Sequence, residues 1–352
     1  MAIDSKTLTQ PDAKYDLIKF FLSLMILAIH TQLYPKILYP WLRIAVPLFF
    51  IISSYFLFSK IKDASIDKQK TIFKKFVVRN LQLYTCWFII LLPVTIYFRK
   101  EQYFSNGIIE NILNIIRSIL FGSTFAASWF ITATIIGAFI IYWLSRLLKN
   151  DIWVFIISLF AFCVVSLSSS YETVIADTFL GTAIDTYNYI FGGLVCSFPA
   201  AIFWIFIGKL FAEQKLKIES FGLLILLVIC AGVALFVEWK FVMSLDGSYN
   251  NDSYFMLAPL CVLLFLCVEK IEPKHWKYSV YFRRLSTVIY VTHISLRPIV
   301  SKGMSIIFNV KLTSLTLYII ILFCCVSVYI LIEIAIKKCS RKRISKVLKM
   351  LY

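Results

Sequence analysis

Only four polar residues interrupt the apolar run from 16 to 30: Asp16, Lys19, Ser23 and His30. Their spacings of 3, 4 and 7 place all four within an arc of roughly 60° on one helix face. Lys19 and His30 stand about three turns apart, ~16 Å along the axis. Ionisable groups at membrane depth are costly unless they face a cavity or partners. A neutral imidazole titrates near working pH and can take the proton of a poor nucleophile such as a hydroxyl. The alternatives are plain ones. Asp16 and Lys19 can snorkel to headgroups, and a histidine in a helix bundle can serve packing through its ring nitrogens.

A second polar face follows late in the chain. Ser286, Tyr290, His293 and Arg297 have spacings of 4, 3 and 4, which again share one side of a helix. Arg297 is harder to explain as packing, because a guanidinium cannot neutralise itself. His293 reads first as hydrogen-bonded glue between helices. The third histidine, His275, lies in a basic loop and reads as surface.

The elements that must position these faces are membrane helices. The chain has 352 residues, of which 60% are apolar, 17% aromatic and 16% charged. Its mean hydropathy is +0.83. That balance excludes a soluble enzyme, a disordered tail and a secreted disulfide scaffold. Ten spans are expected, at about 16–34, 41–58, 77–98, 127–147, 152–169, 189–210, 219–239, 254–269, 285–303 and 314–336. The expected fold is all-α and polytopic, in one domain over 1–352, without internal repeats. The stretch 104–121 reads as an amphipathic surface helix. The polar segment 171–188 reads as a loop or a second surface helix. The N-terminus reads as retained rather than as a cleavable signal.

The net charge of +17 does not point to nucleic acid, because the basic residues gather in short loops between apolar runs. With the N-terminus inside, cytoplasmic segments hold about 25 Lys and Arg and outer loops about 7. The loop 59–75 and the tail 337–352 are the richest. The segments 171–188 and 242–253 carry Glu172, Asp177, Asp185, Asp246 and Asp252 but no Lys or Arg. Both termini are therefore expected in the cytoplasm. Nine cysteines without a CxxC or Cys/His cluster argue against disulfides and against a metal site.

The run YDLIKFFLSLMILAIH, followed by RIAVPLFFIISSYFLF over 43–58, resembles the membrane acyltransferase 3 family. Asp16, Lys19 and His30 match its opening span. Arg43, Val46, Pro47, Phe49, Phe50, Ser53, Tyr55 and Leu57 match its second. SWFITATII around Trp129 resembles the fourth-span start. LSTVIYVTHISL resembles the late S-x-x-I-Y-x-x-H helix, with Ser286, Ile289, Tyr290 and His293 in place. The anchors are clear at both ends of the chain and weak in the middle. Two positions depart from the pattern. The R-x-x-R that often opens the third span is Arg79 and Gln82, and the Ser-Gly of the second span is Ser53-Ser54.

The resemblance implies acyl transfer, commonly of acetyl from acetyl-CoA, to a hydroxyl of a bacterial surface polysaccharide or its lipid-linked precursor. His30 is then the general base, with Lys19 and Asp16 on its face. Lys74, Lys75 and Arg79 are the cations for the phosphates of the acetyl-CoA donor, unless they are ordinary positive-inside charge. Arg43, Ser53, Trp129, Tyr290, His293 and Arg297 complete the candidate residues, and no metal is expected. The implied location is the bacterial inner membrane, among lipid. Polar faces on two helices would equally line a permeation path. The alternative is therefore a transporter of a serine-like amino acid, or a polysaccharide exporter, of the same fold.

Overall fold

A computed structural model describes residues 13–104, 107–121, 128–246, 251–272, 276–309, 312–339 and 342–352. Among them the regular structure is entirely helical. The principal helices are α1 (Ala13–Thr31), the single turn α2 (Tyr39–Leu42), α3 (Ala45–Ile61), α4 (Ile66–Phe104), α5 (Ile108–Leu120), α6 (Trp129–Leu148) and α7 (Asp151–Ser170). The single turn α8 (Glu172–Ile175) precedes α9 (Phe179–Phe191), α10 (Pro199–Ala212), α11 (Phe221–Asp246), α12 (Leu257–Lys270), α13 (Ser279–Phe308), α14 (Ser314–Lys338) and α15 (Lys342–Leu348). Each of the ten expected spans overlaps one or more of these helices, with 189–210 divided between α9 and α10. Among the described residues, six stretches are long and apolar enough to cross a bilayer: Lys36–Ile61, Ile66–Glu101, Trp129–Leu148, Asp151–Ser170, Phe221–Leu245 and Ser314–Lys338. His275 lies outside the described residues.

The boundaries differ from the sequence reading in three places, each for a local reason. The stretch 189–210 is not one helix. Gly192 takes a φ of 88°, a left-handed value that ends α9, and Pro199 opens α10 at its first position. The basic loop 59–75 is mostly helix: α3 ends at Ile61 and α4 begins at Ile66, so Lys68, Lys70, Lys74 and Lys75 ride on the first turns of α4. The surface helix begins at Ile108 rather than 104, because Phe104 still belongs to α4. On that helix Ile108, Ile109, Ile112, Leu113 and Ile116 are exposed, the face an interfacial helix offers to lipid. The segment 171–188 is helical at Glu172–Ile175, in α8, and again from Phe179, in α9.

The chain packs as two compact units, residues 35–264 and residues 1–34 with 265–352. In the first, α10 is the buried element. Ala201 through Lys209, together with Phe211 and Ala212, are all buried, so a helix of 14 residues is surrounded by protein rather than lipid. Gly208 lets α3 approach: a Cβ there would lie 2.0 Å from Ser54 Oγ and 2.6 Å from the Ile51 carbonyl oxygen. Small residues permit such contacts between membrane helices. The C-terminal end of α10 carries a buried charge, Lys209, which must be paired to be tolerated. Its Nζ meets Asp151 at 2.8 Å and Glu213 at 2.9 Å. Lys215 joins both carboxylates, and these partners, Asp151 first and then Glu213, raise its pKa above the ordinary lysine value. At the other end of the unit, Glu238 of α11 accepts the Phe255 and Met256 backbone N–H groups, both at 2.7 Å, and the Tyr171 hydroxyl at 2.8 Å. A carboxylate thus caps the start of α12, as the positive helix end favours.

The second unit is built on α1, α13 and α14, around Leu27, Ile289, Ile321 and Cys325. Phe323, Ile330 and Leu331 on α14 stay exposed, as a lipid-facing side requires. Arg284 binds Glu333 at 2.8 Å and lies over the ring of Tyr352, which ties the C-terminal residue back to α13 and α14.

Candidate active site

The two polar faces read separately from the sequence face each other. Ser279 donates from Oγ to Asp16 Oδ2 at 2.8 Å, and Arg283 stands 3.7 Å from the other carboxylate oxygen. Fourteen residues on, the rings of His30 and His293 lie 5.0 Å apart between centres, inclined at 44°. The same interval from Asp16 to His30 and from Ser279 to His293 means that α1 and α13 run parallel and in register for about 21 Å. The middle of that register is occupied by Ser23 and Ser286. Each is buried and turns its hydroxyl back onto its own helix, to the Phe20 and Arg283 carbonyls respectively.

Burial is graded along the seam. Asp16 is buried, whereas Lys19 and His30 are half-buried. His293 is 1% exposed, and its Nδ1 lies 2.8 Å from the Ile289 carbonyl oxygen. A carbonyl only accepts, so Nδ1 carries the proton and Nε2 presents a lone pair. The Tyr290 ring is 6.2 Å from that of His293. Arg297, one turn further along α13, is exposed. Chemically the seam offers a half-buried imidazole next to a second imidazole whose tautomer is fixed by the backbone.

The other candidates belong to the unit of residues 35–264. Lys74, Lys75 and Arg79 are exposed on α4. Arg43, just ahead of α3, pairs with Asp252 at 2.6 Å and stacks over the Tyr39 ring at 4.4 Å. Its charge is thus neutralised within that unit. Trp129 opens α6 half-buried, with its ring 6.2 Å from that of Phe50. Ser53 is half-buried, whereas its neighbour Ser54 makes the contact with α10.

Two participants of the seam lie outside the expected spans: Ser279 and Arg283. Both precede the expected ninth span. Their spacing of four, extended by Ser286, marks the same helical face continuing toward the N-terminus.

A family profile described as an acyltransferase domain, type 3, matches residues 12–334. The chain belongs to the acyltransferase 3 family. Among curated proteins, this family member is 32% identical over 144 residues to an amino-acid racemase of Enterococcus faecalis, covering 37% of this chain and 19% of that protein. It is 30% identical over 143 residues to another amino-acid racemase of the same organism, covering 37% and 18%. The chain thus spans about a fifth of the length of these relatives. No solved structure matches it.

Proposed function

We propose that this protein is a multi-pass membrane O-acyltransferase of the bacterial inner membrane. It transfers acetyl from acetyl-CoA to a hydroxyl of a surface polysaccharide or its lipid-linked precursor. The observation that carries this reading is the placement of His30, in a chain of the acyltransferase 3 family, on a polar seam between two parallel helices. A hydroxyl attacks a thioester only as its proton leaves, and a half-buried imidazole suits that task. The Asp16–Ser279 bond fixes one end of the seam and so sets the height at which His30 meets α13. Lys19 lies on the same face, where a cation favours negative charge that develops during transfer.

The donor's phosphates need cations at the cytoplasmic side. Lys74, Lys75 and Arg79 on α4 supply them in the orientation that the Lys/Arg asymmetry favours. An Arg can hold a phosphate through two parallel hydrogen bonds. Ten crossings with both termini inside accord with the parallel run of α1 and α13, which requires an even number of crossings between their starts.

The test is mass analysis of envelope glycans from cells with and without the protein, joined to transfer of labelled acetyl from acetyl-CoA in isolated membranes. Loss of an O-acetyl group with the gene, and label transfer that vanishes in His30→Ala, support the reading. A second reading draws on the relatives named amino-acid racemases: the same seam would line a path for an amino acid. In that case no acetyl moves and uptake of an amino acid depends on the protein.

A further inference from the structure

His293 holds a buried atom that packing does not explain. Its Nδ1–H donates to the Ile289 carbonyl, so Nε2 is an acceptor. Among the described residues no partner lies within hydrogen-bonding distance of Nε2, although the residue is almost wholly buried. Buried acceptors without partners are uncommon and costly, and they mark places where something else is to be bound. The ring of His30 lies 5.0 Å from that of His293 between centres. If His293 were only glue between helices, its outward nitrogen would be satisfied by a neighbouring helix.

We infer that His293 is a positioning residue for His30, its Nε2 accepting the His30 N–H that points away from the substrate. This deepens the acyl-transfer reading and rests on it. A base imidazole needs one nitrogen as a lone pair toward the hydroxyl and the other as an N–H held by an acceptor. His293 is built as that acceptor, because the backbone bond at Nδ1 prevents its ring from presenting an N–H instead. Catalytic hydrogen bonds are often long without substrate and tighten on binding, and the ring separation of 5.0 Å leaves a small rotation for that step.

Atoms and protons balance within the two rings and the substrates. The acceptor oxygen forms a bond to the thioester carbonyl carbon while its proton passes to His30. The carbon–sulfur bond then breaks, and the proton leaves His30 for the departing CoA thiolate. His293 stays neutral throughout and steadies the transient imidazolium through the shared hydrogen bond.

The experiment uses membranes containing the full chain, labelled acetyl-CoA as the probe and the cell's own envelope glycan as acceptor. His293→Gln places a carbonyl oxygen near the position of Nε2. His293→Asn reaches only as far as Nδ1. With rates normalised to folded protein, His293→Asn should lower kcat by about 10–100-fold, the range seen when the orienting partner of an imidazole is removed. KM for acetyl-CoA should stay within about twofold, because the residue does not bind the donor. His293→Gln should recover much of the loss. Equal rates for the two variants, or a rise in KM without a fall in kcat, would overturn the assignment while leaving His30 as the base. Should His293→Asn fail to fold, His293→Gln decides alone: a rate as low as that of His30→Ala overturns the role. If the native protein transfers no acetyl, the acyl-transfer reading itself has failed, and this one with it.

Discussion

The ring of His30 lies 5.0 Å from the ring of His293, one register interval beyond the hydrogen bond between Asp16 and Ser279. A fixed polar contact at one end therefore sets the level at which two imidazoles meet at the other. His30→Ala tests whether that level serves chemistry. Removing a positioned base costs about 10²–10⁴-fold in rate, whereas a lost hydrogen bond costs about 1 kcal/mol of stability. The expected result is a protein that melts close to the native Tm and retains acetyl-CoA binding but transfers no acetyl. Near-native transfer by the folded variant would remove His30 from the mechanism.

Asp16 supplies the structural counterpart. It is 4% exposed and accepts from Ser279, so Asp16→Ala leaves a buried hydroxyl without its partner. A hydrogen bond to a charged group is worth about 1.5–3 kcal/mol. The variant should lose stability of that order, and Ser279→Ala somewhat less, as followed by thermal melting in detergent. If acyl transfer per folded molecule also falls, the register of α1 on α13 is what positions His30.

The proposed donor site is testable through α4 together with Lys19 on the seam. Arg79→Ala should raise KM for acetyl-CoA with little change in kcat, the signature of lost ground-state binding. Lys19→Arg should be tolerated and Lys19→Ala should not, since the family pattern admits either cation there. An unchanged dependence on donor concentration in both alanine variants would move the phosphate site elsewhere.

Much of this was legible in the sequence, and the reasons differ by element. The stripe of Asp16, Lys19, Ser23 and His30 was readable because polar side chains stand out at helical spacing inside an apolar run. That it faces α13 was not, because 263 residues separate Asp16 from Ser279 and no local pattern records which helices pair. The break within 189–210 was hidden because hydropathy runs on through Gly192 and Gly193, while the φ of Gly192 ends the helix. The burial of α10 was likewise invisible. A helix that is apolar all round reads the same whether lipid or protein surrounds it. Nor does Arg43 reveal in the sequence that Asp252, far along the chain, neutralises it.

The proposed topology, with both termini inside, rests on the Lys/Arg asymmetry. Single cysteines at Lys68 and Asn251, in a background without other reactive thiols, should label differently with an impermeant reagent. Asn251 should react in intact cells and Lys68 only after the membrane is opened. The reverse pattern would invert the orientation and remove the cytoplasmic donor site.

The cluster at the C-terminal end of α10 predicts a response to alkali. Asp151 and Glu213 hold the pKa of Lys215 above its ordinary value of 10.5. A raised folded-state pKa contributes stability that is fully present below the unfolded value and is lost as pH rises through the folded one. Tyr171 acts in the same sense: burial, and then its bond to Glu238, raise its pKa above 10.0. Stability should therefore fall as pH climbs past about 10. Lys215→Met and Tyr171→Phe should each flatten that alkaline slope while leaving the melting curve near neutral pH less affected. An unaltered slope in both would place the alkaline sensitivity elsewhere.

The contact between Gly208 and Ser54 gives a last prediction, about packing rather than chemistry. A Cβ at position 208 would meet Ser54 Oγ at 2.0 Å and the Ile51 carbonyl oxygen at 2.6 Å. The first neighbour can be trimmed but the second is backbone, so α3 and α10 must move apart to admit a methyl group. Overpacking of this kind costs about 1–3 kcal/mol. Gly208→Ala should lower the melting temperature, and adding Ser54→Ala should restore only part of the loss, because the Ile51 carbonyl remains in place. Ser54→Gly alone should be tolerated near native stability, since its hydroxyl bonds only to the carbonyls of Phe50 and Ile51 on its own helix. Full rescue of Gly208→Ala by Ser54→Ala would mean that the serine side chain, and not the α3 backbone, sets the distance between the two helices.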